Sequence, residues 1–442
     1  MAVVELLREL ISNQCVNDGT PESGHEYRSV ATLAEFLGEP GLVVEPSPGR
    51  QSVIYRVSGT NPEAPRLLLL PHLDVVPVSR EGWSVDPFAA EIRDGFVWGR
   101  GAVDMLNVTA AMAVVFRRYL RGESPPLPGD LILAAVADEE ASGVRGARYL
   151  VDERWDLVAT EYLLTEVAYP SLLTAEGEAQ LVSVGEKGPY WSRLRSRGTP
   201  GHGSSPYGAD NALAAITEGI HGLFETPAPV AITPIWEEFV DGLDLPPDLT
   251  GRLKHPDLVD EAIADLAVTD PAMAAYAYAA THLTVSPNLL RGGVKANVIP
   301  DLAEAEVDLR ALPGMDRGFV DSHLRKAMGR AADHIEIQPM ADHPATVSNL
   351  SNPLWEAIVD SVETLQGHRR VLPTLMPVAT DARFFRPRGV TAYGVGWFDQ
   401  QVPFAEFLRL FHGHDERISI ESLERTVRML NQVITRFGEL TA

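Results

Sequence analysis

The chain has 442 residues, room for two or three domains of roughly 100–200 residues each. Its 45% hydrophobic and 22% charged content is that of an ordinary globular protein and excludes disorder or a fibrous repeat. Lys and Arg number 37 against 61 Asp and Glu, and the resulting charge of −24 repels phosphate backbones and anionic lipid, so nucleic acid and membranes are excluded as partners. Cys15 is the one cysteine, which leaves no disulfide framework and no thiolate metal cluster; a metal would be held by histidine and carboxylate.

The N-terminal stretch sets Glu5, Arg8 and Glu9 within an apolar helical periodicity. That is an amphipathic helix and not a signal-peptide core, which points to a cytoplasmic protein. No apolar run approaches the roughly 20 residues of a membrane span. Strands are predicted at 53–57, 66–70 and 131–136 and a helix at 105–120, an alternation that suits a layered α/β domain. Around 177–188 the texture turns Gly- and Glu-rich, and a new unit follows with a strand at 190–195, a loop at 198–208 and a helix at 211–224. Residues 227–280, rich in Pro, Asp and Glu, read as an insertion. Strands resume at 282–285 and 303–309, then a helix at 317–328 and a strand near 334–338; helix and strand alternate again from about 353 to a last helix at 420–437. The expected organisation is one domain of residues 1–177 and 346–442, interrupted by a smaller α+β domain of residues 178–345 that carries the insertion.

The chemistry sits where apolar strands run out. Leu67-Leu-Leu-Leu-Pro-His72-Leu-Asp74 delivers an imidazole and a carboxylate two residues apart, on one side of a strand. This is either a solvated strand end or a metal ligand with the carboxylate that orients it. Gly99-Arg-Gly-Ala-Val-Asp104 has a carboxylate where a dinucleotide loop needs a small residue, which argues against a nucleotide-dependent oxidoreductase. Its glycines allow a tight turn before a helix, with Asp104 as cap or metal ligand. The strand at 131–136 ends in Asp138, Glu139 and Glu140 with no basic residue following before Arg145. Either these acids form an exposed loop or a divalent cation neutralises them, one glutamate ligating while its neighbour faces a water. Leu163-Leu-Thr-Glu166 repeats the strand-then-carboxylate pattern, and Phe411-His412-Gly-His414-Asp-Glu416 adds an imidazole near the last helix.

Taken in order, His-x-Asp-Val-Val-Pro, Gly-Arg-Gly-x-x-Asp-Met, Glu-Glu, a lone Glu, Gly-Thr-Pro-Gly-His202 and His-x-x-x-Glu resemble the co-catalytic di-zinc peptidase and amidohydrolase family. Its members include glutamate carboxypeptidase, succinyl-diaminopimelate desuccinylase, acetylornithine deacetylase, aminoacylases and dipeptidases. The resemblance implies a three-layer α/β catalytic domain and a lid domain through which two copies dimerise. It implies two divalent metal ions, with Asp104 bridging, His72 and Glu166 completing one site and Glu140 and His412 the other. Zn²⁺ is the expected ion, and the same ligands accept Co²⁺ or Mn²⁺. Glu139 would then be the general base, and Asp74 would orient His72. His202 would stabilise the oxyanion from the neighbouring subunit, and Asn297 and Arg310 would hold a substrate carboxylate. The implied activity is hydrolysis of an amide or peptide bond in a small carboxylate-bearing substrate, as by a carboxypeptidase, dipeptidase or N-acyl-amino-acid deacylase.

Two departures bear on this. Leu106-Asn107 replaces the family's usual Lys-Gly after Asp104-Met, and Met376-Pro-Val-Ala precedes Thr380-Asp381-Ala-Arg383 in place of a glycine-rich loop. They leave open an aminohydrolase of a non-peptide amide or aryl amine. A non-catalytic metal-binding relative would be expected to have lost the base or a ligand, and neither is lost.

Overall fold

The computed structural model describes residues 2–167, 169–174 and 177–442. Leu67–Leu69 and Leu131–Ala135 are wholly buried strands, and their residues go alternately to two cores, as the two-residue strand repeat requires. Leu67, Leu69, Leu131, Leu133 and Ala135 join one core, and Leu68, Ile132 and Ala134 the other. A sheet buried on both faces needs helices on both. Ala2–Ser12, Leu106–Leu120, Pro353–Gln366 and Ile420–Leu440 supply one layer. Ala147–Glu153, Trp155–Val158 and Ala382–Phe385 supply the opposite one. The expected three-layer α/β domain results.

Among the described residues this sheet has ten strands. At its centre Leu131–Ala135, Leu67–Leu69, Tyr162–Thr165 and Thr391–Gly394 lie side by side, all parallel. The second sheet is antiparallel and contains Thr284–Gly292, Leu302–Ala311, Ser192–Arg197 and Ile335–Pro339. Leu302–Ala311 shows why it is covered on one side only: Ala303, Ala305, Val307 and Leu309 pack beneath Ala212–Glu225 and Arg317–Met328, while Glu304, Glu306, Asp308 and Arg310 take the other face.

Two features differ from the expected organisation. Gly177–Glu186, expected to open the smaller domain, belongs to the larger sheet, where it pairs in parallel with Val371–Met376; the chain crosses over only at Lys187. The reason is burial, since Ala179, Leu181, Val182 and Val184 all sit in the larger core. The insertion folds into the helices Pro234–Asp241, Pro247–Leu253, Val259–Thr269 and Pro271–Thr281. These pack chiefly with the larger core through Trp236, Phe239, Leu266 and Tyr276, next to Leu372 and Met376, while Ile235 touches both that core and the core of the smaller sheet. Among the described residues no helix is long and apolar enough to cross a membrane.

Trp236 is buried, stacks on Phe239 and donates its Nε1–H to Leu253 O at 2.8 Å. Trp236→Ala is expected to cost about 3–5 kcal/mol and to lower the apparent Tm accordingly. Val268→Ser, at a position 84% exposed, should leave it within about 0.5 kcal/mol of the parent. Equal melting curves for the two variants would show that the insertion contributes nothing to the core.

Candidate active site

Parallel neighbours release their C-terminal ends along one edge of a sheet, and that edge is where open α/β folds place their chemistry. Here Leu67–Leu69 leads to His72 and Asp74, Leu131–Ala135 to Glu139 and Glu140, and Tyr162–Thr165 directly to Glu166. Asp104 arrives from the loop before Leu106–Leu120. The buried carboxylate of Glu416 accepts the N–H groups of Gly101, Val103 and Asp104 at 3.1, 2.7 and 3.1 Å and pairs with Arg100 at 2.7 Å. Arg100 in turn donates to His412 O at 3.1 Å. The His-x-x-x-Glu spacing is thus a brace that ties His412 to the Asp104 loop.

The Asp104 carboxylate lies between two groups. Its Oδ1 is 3.3 Å from His72 Nε2, which is 3.5 Å from Glu166 Oε2. Its Oδ2 is 3.2 Å from His412 Nε2, which is 3.2 Å from Glu140 Oε2. Ligand atoms of His72, Asp104 and Glu140 fall within 4.8 Å of one another, as do those of His72, Glu139 and Glu166. Such crowding strains the charges. Burial and the neighbouring Asp104 push Glu140 up to about 8, and burial with Glu139 beside it raises Glu166 well above the carboxylate range. Hydrogen bonds to Asp104 and Glu140 lift His412 to about 10. Glu140 Oε1 is buried and has no hydrogen-bond partner among the described residues. An all-nitrogen-and-oxygen donor set with a bridging carboxylate, surplus negative charge and an orphaned carboxylate oxygen suits divalent metal ions.

The structure alters the expected part of Asp74. His72 Nδ1 lies 3.0 Å from the backbone carbonyl of Asp74 and 3.6 Å from its carboxylate. That carboxylate instead accepts the N–H groups of Glu139 at 3.2 Å and Glu140 at 3.1 Å. The acids following the strand are also not without basic company. Arg50, wholly buried, comes within 3.8 Å of Asp138, and Arg145 within 3.5 Å, so only Glu139 and Glu140 remain to face the cluster. Nothing in the local sequence pairs Arg50 with Asp138, because the contact spans adjacent antiparallel strands. Arg383 is a further residue found only in the fold: its guanidinium is 3.5 Å from Glu139 and donates to Ser142 O at 2.9 Å. Its one signal in the sequence is the Thr380-Asp381-Ala-Arg383 motif that follows the altered loop.

A cavity of about 820 Å³ opens over this cluster. Asp104, Glu139, Glu140, Glu166 and His412 form its polar floor, and Tyr169, Trp191, Met340, Met376, Leu408 and Phe411 much of its apolar wall. Arg310 also lines it, held by Asp308 at 2.8 and 3.2 Å and lying over the Trp191 ring. His202, on the segment Gly201–His202 that pairs with Val298–Ile299, and Asn297, the residue just before that partner, are both exposed and are not among the residues lining the cavity of their own chain. Asn107, part of the first departure, is buried with neither side-chain polar atom hydrogen-bonded among the described residues.

The family model for peptidase family M20/M25/M40 matches residues 68–436. Aminoacylase-1 of Sus scrofa is 27% identical over 443 residues, spanning 99% of this chain and 96% of the relative. Among solved structures, an M20 family metallo-carboxypeptidase, Sso-CP2 from Sulfolobus solfataricus, superposes with a TM-score of 0.74 at 19% identity, over 99% of this chain and all of the other. Human carnosine dipeptidase 1 gives 0.70 at 15% identity, over 99% of this chain and 96% of its own; these two likenesses bear on the fold. With the family signature running through the strand ends that carry the cluster, the chain belongs to peptidase family M20/M25/M40 and is a metal-dependent hydrolase of amide or peptide bonds.

Proposed function

We propose that the enzyme is a di-zinc deacylase of N-acyl amino acids. The observation that carries this reading is the Asp104 carboxylate set between the His72–Glu166 and His412–Glu140 pairs, with Glu139 beside them on the cavity floor. Asp104 would bridge the two zinc ions, with His72 and Glu166 as the remaining ligands of one and Glu140 and His412 of the other. Bound there, divalent cations lower the pKa of water toward neutrality and polarise a carbonyl.

The chain's own groups account for the rest. Glu139 accepts the proton of the attacking water on a carboxylate oxygen and returns it to the leaving amine. Arg383, 3.5 Å from that carboxylate, favours its ionised form. Arg310 keeps part of its planar fork free of Asp308 and faces the cavity, which suits a substrate carboxylate. The wall of Tyr169, Met376, Leu408 and Phe411 offers apolar surface to an acyl or side chain, and the likeness to aminoacylase-1 over nearly the whole chain supports an N-acyl amino acid over a dipeptide. His202 and Asn297, exposed and off the cavity, would serve a second copy. A homodimer through the smaller domain would complete each site with the partner's pair.

Glu139→Gln should lower kcat on N-acetyl amino acids by about 10²–10⁴-fold while elemental analysis still finds two metal equivalents; unchanged turnover would reject Glu139 as the base. Dialysis against a chelator should abolish activity and Zn²⁺ restore it, with dipeptides hydrolysed more slowly than N-acyl amino acids throughout. Arg310→Ala should reduce kcat/KM for a free-acid substrate by about 10–100-fold and leave the corresponding C-terminal amide little changed. Co-expressing Glu139→Gln with His202→Ala tests the shared site: each variant alone should be nearly inactive and the mixed dimer active, whereas a silent mixed dimer would place His202 in the site of its own chain and an active His202→Ala homodimer would place it outside catalysis.

A further inference from the structure

Glu139 and Glu140 have no long element to hold them. They ride on the single turn Glu139–Ala141, entered through Asp138 at φ 69° and left through Ser142 at φ 89°, and both flanking residues take left-handed backbone that non-glycine residues rarely adopt. Their direction has to be fixed from behind, and the packing behind them is polar. Asn17, Glu26, Arg50, Asp74 and Asp138 are each at most 2% exposed, and none of them lines the cavity. Five charged or amide side chains buried together are costly unless every one is engaged.

Their connections converge. Asn17 Nδ2 donates to Asp74 Oδ2 at 2.8 Å, while Asn17 Oδ1 accepts Arg50 Nη2 at 2.8 Å and Gly19 N at 3.1 Å. Arg50 Nη1 reaches Glu26 Oε1 at 2.8 Å, and Glu26 Oε1 also accepts the Asp138 N–H at 3.3 Å. Asp74, steadied by Asn17, receives the N–H groups of Glu139 and Glu140 on its carboxylate and His72 Nδ1 at its carbonyl. One residue thus sets the direction of an expected ligand in each half of the cluster and of the expected base. A side-chain amide accepts from a guanidinium on its oxygen and donates to a carboxylate from its nitrogen. Asn17 has that chemistry, and no substitution by serine, leucine or aspartate reproduces it.

We infer that Asn17 and Arg50 are positioning residues: through Asp74 they fix the register of His72, Glu139 and Glu140, and so the affinity of the site for its metal ions and the rate of the step that Glu139 serves. The inference rests on the metal-hydrolase reading above. It places the effect in metal binding and kcat, with KM untouched, because neither residue meets the cavity.

The test uses full-length enzyme stripped of metal and titrated with Co²⁺, followed by its visible d–d absorption, alongside steady-state kinetics on the reloaded protein. Asn17→Ala and Arg50→Lys, which keeps the charge and loses the fork, should each weaken Co²⁺ binding about 10–100-fold, alter the d–d spectrum and lower kcat with KM held. Arg145→Ala, which removes only a partly exposed partner of Asp138, should titrate as the parent does. Parent-like Co²⁺ titrations and kcat in folded Asn17→Ala and Arg50→Lys would overturn the inference. So would failure of both to fold, which would make the network a requirement of folding alone. A parent enzyme that binds no Co²⁺ would instead sink the metal-hydrolase reading, so the two failures are distinguishable.

Discussion

Carboxylates crowded at the buried edge of a sheet repel one another, and the architecture of this protein is arranged around that repulsion. Among the described residues Asp104, Glu140 and Glu166 share two imidazoles, and burial penalises the ionised forms of Glu140 and Glu166. The neighbouring acids are neutralised by specific means. Asp138 is answered by Arg50 and Arg145, Glu416 by Arg100 and three backbone N–H groups, and Asp74 by Asn17 and two more. Glu140 and Glu166, which line the cavity, have no such guanidinium pair behind them as Asp138 and Glu416 do, among the described residues.

The parallel order at the centre of the sheet is what makes this arrangement possible. Three consecutive sheet neighbours end at one edge, so residues from positions as far apart as 72, 140 and 166 meet without any long loop being ordered. Long-range braces then align the pieces that do not come from strands. Glu416 alone binds the backbone of the Asp104 loop at three points across more than three hundred residues of sequence.

Much of this was legible before any coordinates, and the legible part has a common cause. Runs such as 131–136 are apolar throughout because they are buried on both faces, so strand, layer and the position of the terminal carboxylate all follow from composition and order. The helix expected at 317–328 has those same bounds in the structure, where Asp316 caps its start and accepts the Phe319 N–H. The illegible part depends on contacts that local pattern does not encode. Arg50 meets Asp138 across adjacent antiparallel strands, Asp74 turns its carboxylate to backbone N–H groups while its carbonyl meets the histidine two residues away, and Gly177–Glu186 joins the larger sheet through a partner nearly two hundred residues later. The polar composition of residues 227–280 concealed Trp236, Phe239 and Tyr276, whose packing decides to which core the insertion belongs.

That insertion also reaches the rear of the substrate chamber. Tyr276 donates to Leu375 O at 3.4 Å, one residue from Met376 in the chamber wall, and Pro271–Thr281 rests on Phe404–Leu410, which contributes Leu408 to the same wall. The four helices are therefore not an interchangeable ornament. Transplanted onto a relative lacking Leu372 and Met376 they would find no seat, and drift in their sequence over evolutionary time would be transmitted to the shape of the chamber before it touched any group that does chemistry.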